Sequence, residues 1–298
     1  MLEEFKNAFQ RHNNGHVQLI IINVIVFLIM GVFLVGSTVS QHPEVFEFIH
    51  QQLSIPASLG TFFSKPWTIL TYAFLHDMSG ILHILFNMLF LYWFGKLFVE
   101  YLGSDKLIAV YVLGAFAGGI AYLLVYNLIP YYMDRIPGGG MIGASAAVYA
   151  IVVAVATLLP DYTFFLLFLG PVRIKYIAAF YIVLSFLGSV GSNEGGNIAH
   201  LGGALMGFIY TKQLQSGVNW GGWITLTLDW FKDLFRSKPK VKVTYRSSES
   251  VPPKKSATST AAKASQAEID AILDKISDRG YESLTKEEKE KLFNASKK

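Results

Sequence analysis

From Val17 to Gly36 the chain carries no charged residue. A segment of about 20 residues rising 1.5 Å each spans a hydrocarbon core of about 30 Å. Inside lipid every backbone N–H and C=O must find its partner within the chain, so such a segment is committed to helix. Six segments of this kind lie near 17–38, 81–101, 107–129, 142–160, 173–190 and 197–214. The first is longer than the apolar core of a signal peptide, about 7–15 residues, and reads as an uncleaved first span. The last three are rich in Gly and Ala, which suits close helix packing in lipid. Charged residues make up 15% of the chain, against about 25% in soluble domains. The expected fold class is an all-α membrane protein, a bundle of six transmembrane helices. No cysteine is present, so thiol chemistry and disulfides are excluded.

Lys and Arg set the orientation. With the N-terminus inside, the inner face holds Lys6, Arg11, Lys96, Lys106, Arg173, Lys175 and every basic residue from Lys212 onward; the outer face holds Lys65 and Arg135. Both termini are therefore expected in the cytoplasm, with the chain multi-pass in the cell membrane. The expected organisation is a cytoplasmic segment (1–16), the membrane domain (17–214), an amphipathic and basic segment (219–246), a linker (247–264) and a short two-helix module (265–298). In the third of these, Trp220, Ile224, Leu228, Phe231 and Phe235 recur at helical spacing. They fit a helix in the headgroup layer or one packed on the membrane domain. Lys238, Lys240, Lys242 and Arg246 then offer a contact with anionic lipid. The linker "SSESVPPKKSATSTAAKA" has a disordered composition. In the final module, Ser265 with Glu268 and Thr285 with Glu288 have capping-box spacing, and Gly280 separates two short helices. Ile269, Ile272, Leu273, Ile276, Leu292 and Phe293 are expected to pack together. The module's partner is not readable. The formal net charge is only +4, and no nucleic-acid partner is expected.

Polar side chains in membrane segments are costly and mark function. The second span contains "HILFNMLF", with His83 and Asn87 four apart on one face. The fourth contains Ser145 and, four residues on, Tyr149. The sixth opens "NIAHLGGALMG" around His200. These three spans enter from the same side, so His83, Ser145 and His200 share one shallow layer below the outer surface. Singly, each fits interhelical hydrogen bonding. Together they fit a nucleophile, a base and oxyanion donors. Ser145 needs a base, and His200 is the only histidine in the last three spans. His83, Asn87 and the Ser145 backbone N–H are placed to stabilise an oxyanion, and Gly143 permits close approach of the chain. Glu194 reads as a solvated loop charge, so a Ser–His dyad is expected rather than a triad, with Tyr149 stacking on the imidazole. A metal site at His76, Asp77 and His83 lacks tight ligand spacing and leaves Ser145 unexplained. No metal and no cofactor are expected.

"HILFNM", "GASA" and "AHLGG", in this order and in these spans, resemble the diagnostic elements of the rhomboid family of intramembrane serine proteases. "WTILTYAFLH" and "EYLGSDKL" add to the resemblance, which covers roughly residues 17–212. It implies a six-helix bundle around a water-filled cavity open to the outside, and membrane-protein substrates cut in or near a transmembrane segment. It implies Ser145 as nucleophile, His200 as general base, His83 and Asn87 as oxyanion-binding positions, and Tyr149 as the ring packed on the histidine. Gly203 and Gly207 match the family's close-packing glycines. Two positions depart from the pattern: Ala146 stands where Gly is usual, and Trp67-Thr68 where Trp-Arg is usual. Two extra residues also separate His76 from His83.

Two other function classes compete. A catalytically silent relative that binds or escorts membrane clients would typically lack the serine or the histidine. A transporter would need polar residues through to the inner face, but "FLYWFG" and "AIVVAVATLL" are apolar. Gly138 to Gly140 and "GSNEGGN" are expected to line a wet mouth. Substrate is expected to arrive laterally, near the fifth span or the loop before the sixth.

Overall fold

The computed structural model describes residues 13–136, 138–166, 170–235 and 266–295. The first half comprises α1 (Gly15–Val39), α2 (Pro43–Leu53), α3 (Leu59–Ser64), α4 (Thr68–Thr71), a 3-10 turn (Tyr72–Phe74), α5 (Ile81–Leu102), α6 (Ser104–Leu128) and α7 (Pro130–Met133). Then follow α8 (Ser145–Leu158), β1 (Thr163–Leu166), β2 (Gly170–Arg173), α9 (Ile174–Gly188), α10 (Glu194–Gln215) and α11 (Gly222–Phe235). The last elements are α12 (Gln266–Arg279), a 3-10 turn (Tyr281–Ser283) and α13 (Lys286–Ala295). The chain divides into two compact units, Met1–Lys238 and Pro239–Lys298.

Among the described residues, three helices, α1, α5 and α6, are long and apolar enough to cross a membrane by length and composition; α8 and α9 are apolar but shorter. The fold is mostly helical, with one departure from the all-α expectation. Strands β1 and β2 form an antiparallel hairpin with Thr163 opposite Arg173 and Leu166 opposite Gly170. The β-favouring run Thr163-Phe164-Phe165 supports it, and Phe164 packs its ring 5.1 Å from that of Phe94 on α5.

Helix α8 is the centre of the larger unit. Every residue from Ala146 to Ala156 except Tyr149 is buried, because α5, α6, α9 and α10 surround it. Small residues four apart make this possible on three helices. Ala146 and Ala150 turn their methyls toward Gly114 and Gly118 of α6, and their carbonyls toward Gly203 and Gly207 of α10. A Cβ on Gly118 would lie 2.6 Å from the Ala146 methyl, and one on Gly203 or Gly207 would lie 2.8 Å from a backbone carbonyl carbon of α8. Backbone approach this close requires glycine.

The stretch between α1 and α5 is also tied down by buried polar groups. Tyr111 donates to the Ala73 carbonyl (2.7 Å) and accepts from Asn23 Nδ2 (3.1 Å). Tyr72 donates to the Ala115 carbonyl (2.7 Å). At the Trp67-Thr68 departure, Trp67 Nε1 donates to the Gln52 carbonyl (2.8 Å) and the buried Thr68 hydroxyl to the Lys65 carbonyl (2.6 Å). Ile55 and Met141 exchange both backbone hydrogen bonds, 3.0 and 2.8 Å. This bridge fixes the segment that leads into α8.

Helix α11 packs on the larger unit through one face, as one of the two readings of its sequence expects. Ile224 is buried, Leu228 packs against the core, and Trp223 stacks on Phe116 of α6. Trp220, Leu226 and Trp230 are exposed. The side chains of Phe231 and Phe235, the basic residues Lys238, Lys240, Lys242 and Arg246, the linker 247–264, Ser265 and most of the 1–16 segment lie outside the described residues. In the smaller unit, Thr285 N–H donates to Glu288 (2.7 Å), and Lys275 pairs with the same carboxylate (2.9 Å). Ile272 and Leu284 are buried there, but Leu273 and Phe293 are exposed, contrary to the expected cluster. With two short helices, the module has too few layers to cover both faces.

Candidate active site

The N-terminal ends of α5, α8 and α10 meet around one cavity of about 940 Å³. Ser145 is the first residue of α8, His83 is in the first turn of α5, and His200 is in the second turn of α10. The structure brings Ser145 and His200 into contact: Ser145 Oγ lies 2.6 Å from His200 Nε2. Gly203, one turn beyond His200, packs on the Ala146 carbonyl and so brings the two helices together. Tyr149, one turn after Ser145, stacks on His200 with centroids 4.2 Å apart and planes 12° from parallel.

The wall opposite His200 is built from α5. Asn87 Nδ2 donates to the His83 carbonyl (2.9 Å), which leaves its second N–H for another acceptor. His83 Nδ1 receives the Asp77 backbone N–H in a long contact of 3.4 Å. An accepting Nδ1 puts the proton of the neutral ring on Nε2. That edge faces Gly143: a Cβ there would lie 3.6 Å from His83 Nε2 and 3.3 Å from Ser145 Oγ. Gly143 has φ +137°, so glycine is needed both for the backbone and for the open space. The N–H of Ser145 is among the first-turn donors that a helix leaves without intrahelical partners. Helix N-termini favour negative charge. Serine, imidazole and three candidate donors thus surround one small volume.

Three residues stand differently from the sequence reading. Glu194 is not a solvated loop charge: it opens α10, its side chain is 14% exposed, and Oε1 pairs with Arg135 Nη1 at 3.3 Å. Second, Nδ1 of His200 has a partner that the sequence reading omitted. Ser185 of α9, buried, places Oγ 3.2 Å from Nδ1 and donates to the Tyr149 hydroxyl at 3.0 Å. A lone serine within "YIVLSFLG" gives no signal of which face it occupies. Gly140 also differs from a simple opening element. A Cβ there would lie 2.9 Å from the Ile55 carbonyl oxygen, and φ is +73°, whereas Gly138 and Gly139 have open space around them. His76 and His83 sit edge to face 5.6 Å apart, and Asp77 is engaged by Ser79 at 2.8 Å. Among the described residues no group of three or more His, Asp or Glu is arranged to hold a metal ion.

Fold and pocket together define a helical membrane protein with a cavity in its bundle, apolar over most of its wall and holding a cluster of polar side chains. Residues 64–216 match the Rhomboid domain, more than half of the chain, and the chain belongs to the rhomboid family. Residues 259–298 match a second family, described only as one of unknown function. The chain is 30% identical over 203 residues to RHOMBOID-like protein 12, mitochondrial, of Arabidopsis thaliana, covering 64% of this chain and 59% of that protein. It is 27% identical over 156 residues to Rhomboid protease GlpG of Haemophilus influenzae, covering 49% and 69% respectively.

Proposed function

We propose that the chain is an intramembrane serine endopeptidase that hydrolyses peptide bonds in or near transmembrane segments of other membrane proteins. The observation that carries this reading is the 2.6 Å contact of Ser145 Oγ with His200 Nε2 inside the cavity. Serine becomes a useful nucleophile when a base takes its proton. His200 Nε2 removes the hydroxyl proton as Oγ attacks the substrate carbonyl. The carbonyl oxygen gains negative charge and is met by His83 Nε2–H, Asn87 N–H and the Ser145 backbone N–H. The imidazolium then gives its proton to the leaving amide nitrogen. Water, admitted by the cavity, attacks the acyl-enzyme by the same proton path and releases Ser145. Tyr149 holds the ring of His200 throughout.

In this reading six helices cross the cell membrane with both termini in the cytoplasm. Helices α8 and α9 do so where the bilayer thins, or with flanking residues in the interface. The exposed tryptophans of α11 rest against headgroups, and the last 34 residues form a separate cytoplasmic module. The partners are transmembrane substrates and lipid. The test is cleavage of a model transmembrane substrate by the full chain in liposomes. Ser145→Ala and His200→Ala should each abolish cleavage and labelling by a fluorophosphonate, with the fold retained. Cleavage by Ser145→Ala at the wild-type rate refutes the reading. Binding of substrate by a wild-type chain that neither cleaves nor labels would favour a client-binding role instead.

A further inference from the structure

Ser185 has no part in the steps above, yet it lies at the back of the dyad. Its hydroxyl is buried on a mostly apolar helix and sits between two aromatic partners. Oγ is 3.2 Å from His200 Nδ1 and donates across 3.0 Å to the Tyr149 hydroxyl. A neutral imidazole has one N–H and one lone pair, and the group on one nitrogen fixes the state of the other. With Nε2–H directed at Ser145, the ring could not accept the serine proton. A serine hydroxyl alone does not settle this, because it can donate or accept. The Tyr149 link supplies the bias: with its proton given to the Tyr149 hydroxyl, Ser185 offers His200 lone pairs alone.

We propose that Ser185 is a positioning residue that accepts Nδ1–H of His200, so that the Nε2 lone pair faces Ser145. The catalytic consequence rests on the protease reading; the hydrogen bond does not. No proton passes to Ser185. When Nε2 takes the Ser145 proton, Nδ1–H stays bonded to Ser185, and Nε2 alone returns a proton to the leaving nitrogen. Tyr149 then acts twice, as the plane against the imidazole face and as the acceptor that orients Ser185. A neutral hydroxyl in this place also avoids the cost of a buried carboxylate in a membrane helix.

The experiment is nitrogen-15 NMR of the full chain with labelled histidine at neutral pH, with His200 identified by its loss in His200→Ala. The expected wild-type spectrum has Nδ1 protonated and Nε2 bare. Ser185→Ala should lose that preference, and Ser185→Thr, which keeps the hydroxyl, should restore it. In the liposome assay, loss of one buried hydrogen bond should lower kcat about tenfold in Ser185→Ala, with KM changed by less than about twofold. Ser185→Thr should recover most of the rate. A wild-type His200 protonated on Nε2 overturns the proposal, and so does a Ser185→Ala chain with wild-type tautomer and wild-type kcat. Should Ser185→Ala fail to fold, the tautomers of the wild type and of Ser185→Thr still decide. An Nδ1–H ring in a chain that never cleaves supports the hydrogen bond and counts against the protease reading alone.

Discussion

Gly203→Ala is the sharpest test of how packing sets the chemistry. A Cβ at this position would lie 2.8 Å from the Ala146 carbonyl carbon and 3.2 Å from its Cα, and would overlap the carbonyl oxygen. Carbon pairs settle at about 3.5–4.0 Å, so α8 and α10 must part by about 1 Å. Neither contact is the end of a flexible side chain, and the methyl cannot swing aside. Overpacking of this kind costs about 1–3 kcal/mol. The larger effect falls on the site, because Ala146 follows Ser145 and Gly203 lies one turn from His200. Opening the 2.6 Å contact between them by about 1 Å takes it out of hydrogen-bond range. A misplacement of about 1 Å is worth about 100-fold in rate. Thermal unfolding in detergent and substrate cleavage in liposomes should therefore show a modest loss of stability with a near-complete loss of activity. Gly207→Ala, one turn further from the site, should cost similar stability and less activity. A Gly203→Ala chain with an unchanged Tm and a rate within a factor of about two of wild type would refute the close-packing account.

Two further outcomes test other parts of the molecule. Tyr111→Phe strips the buried Ala73 carbonyl and Asn23 of a hydroxyl partner, which should cost about 1–3 kcal/mol; an unchanged thermal midpoint would show that this anchor is not needed. In the C-terminal unit, the Thr285 N–H and then the Lys275 ammonium hold the Glu288 carboxyl down at about 2, from an ordinary 4.5. Because the folded value lies below the unfolded one, this contribution is complete above about pH 4.5 and is lost as pH falls toward 2. Carbon-13 shifts of α13 should report helix loss in that window, and Glu288→Gln should remove this pH dependence; an identical acid transition in Glu288→Gln would discard the capping account.

The site was legible where chemistry coincides with helix period. His83 and Asn87, and Ser145 and Tyr149, are each four apart, so each pair must share a helix face, and span order places their ends together. Those inferences need only helical geometry, which lipid enforces. Ser185 was not legible for the opposite reason. Its role depends on the rotation of α9 about its own axis, which is set by packing and leaves no spacing signal. Glu194 was misplaced because Gly195 and Gly196 read as loop residues. In the fold they belong to the first turn of α10, where the leading N–H groups have no helical partner to lose. A side chain at Gly195 would lie 2.7 Å from the Tyr122 ring. The glycine there serves close packing rather than a break. The β1–β2 hairpin escaped as well, since two four-residue strands between apolar helices carry little periodicity.

Ala146 changes meaning once its neighbours are known. As a sequence it departs from a family preference for glycine beside the nucleophile, and the extra methyl looks like an intrusion. In the fold that methyl points away from the cavity, toward α6, where Gly118 leaves the space it fills. A Cβ on Gly118 would also crowd the Tyr72 hydroxyl at 2.9 Å and the Ala199 carbonyl oxygen at 2.9 Å. Gly118 is therefore constrained from three sides, by α8, α10 and the segment ahead of α5. The carbonyl of the same Ala146 faces Gly203 on the other flank. One residue next to Ser145 is held between two glycines, its side chain against one helix and its backbone against another. The position after Ser145 thus sets the spacing of α6, α8 and α10. What it requires is a match in size with Gly118, and alanine meets that requirement because the space was cleared on the opposite helix.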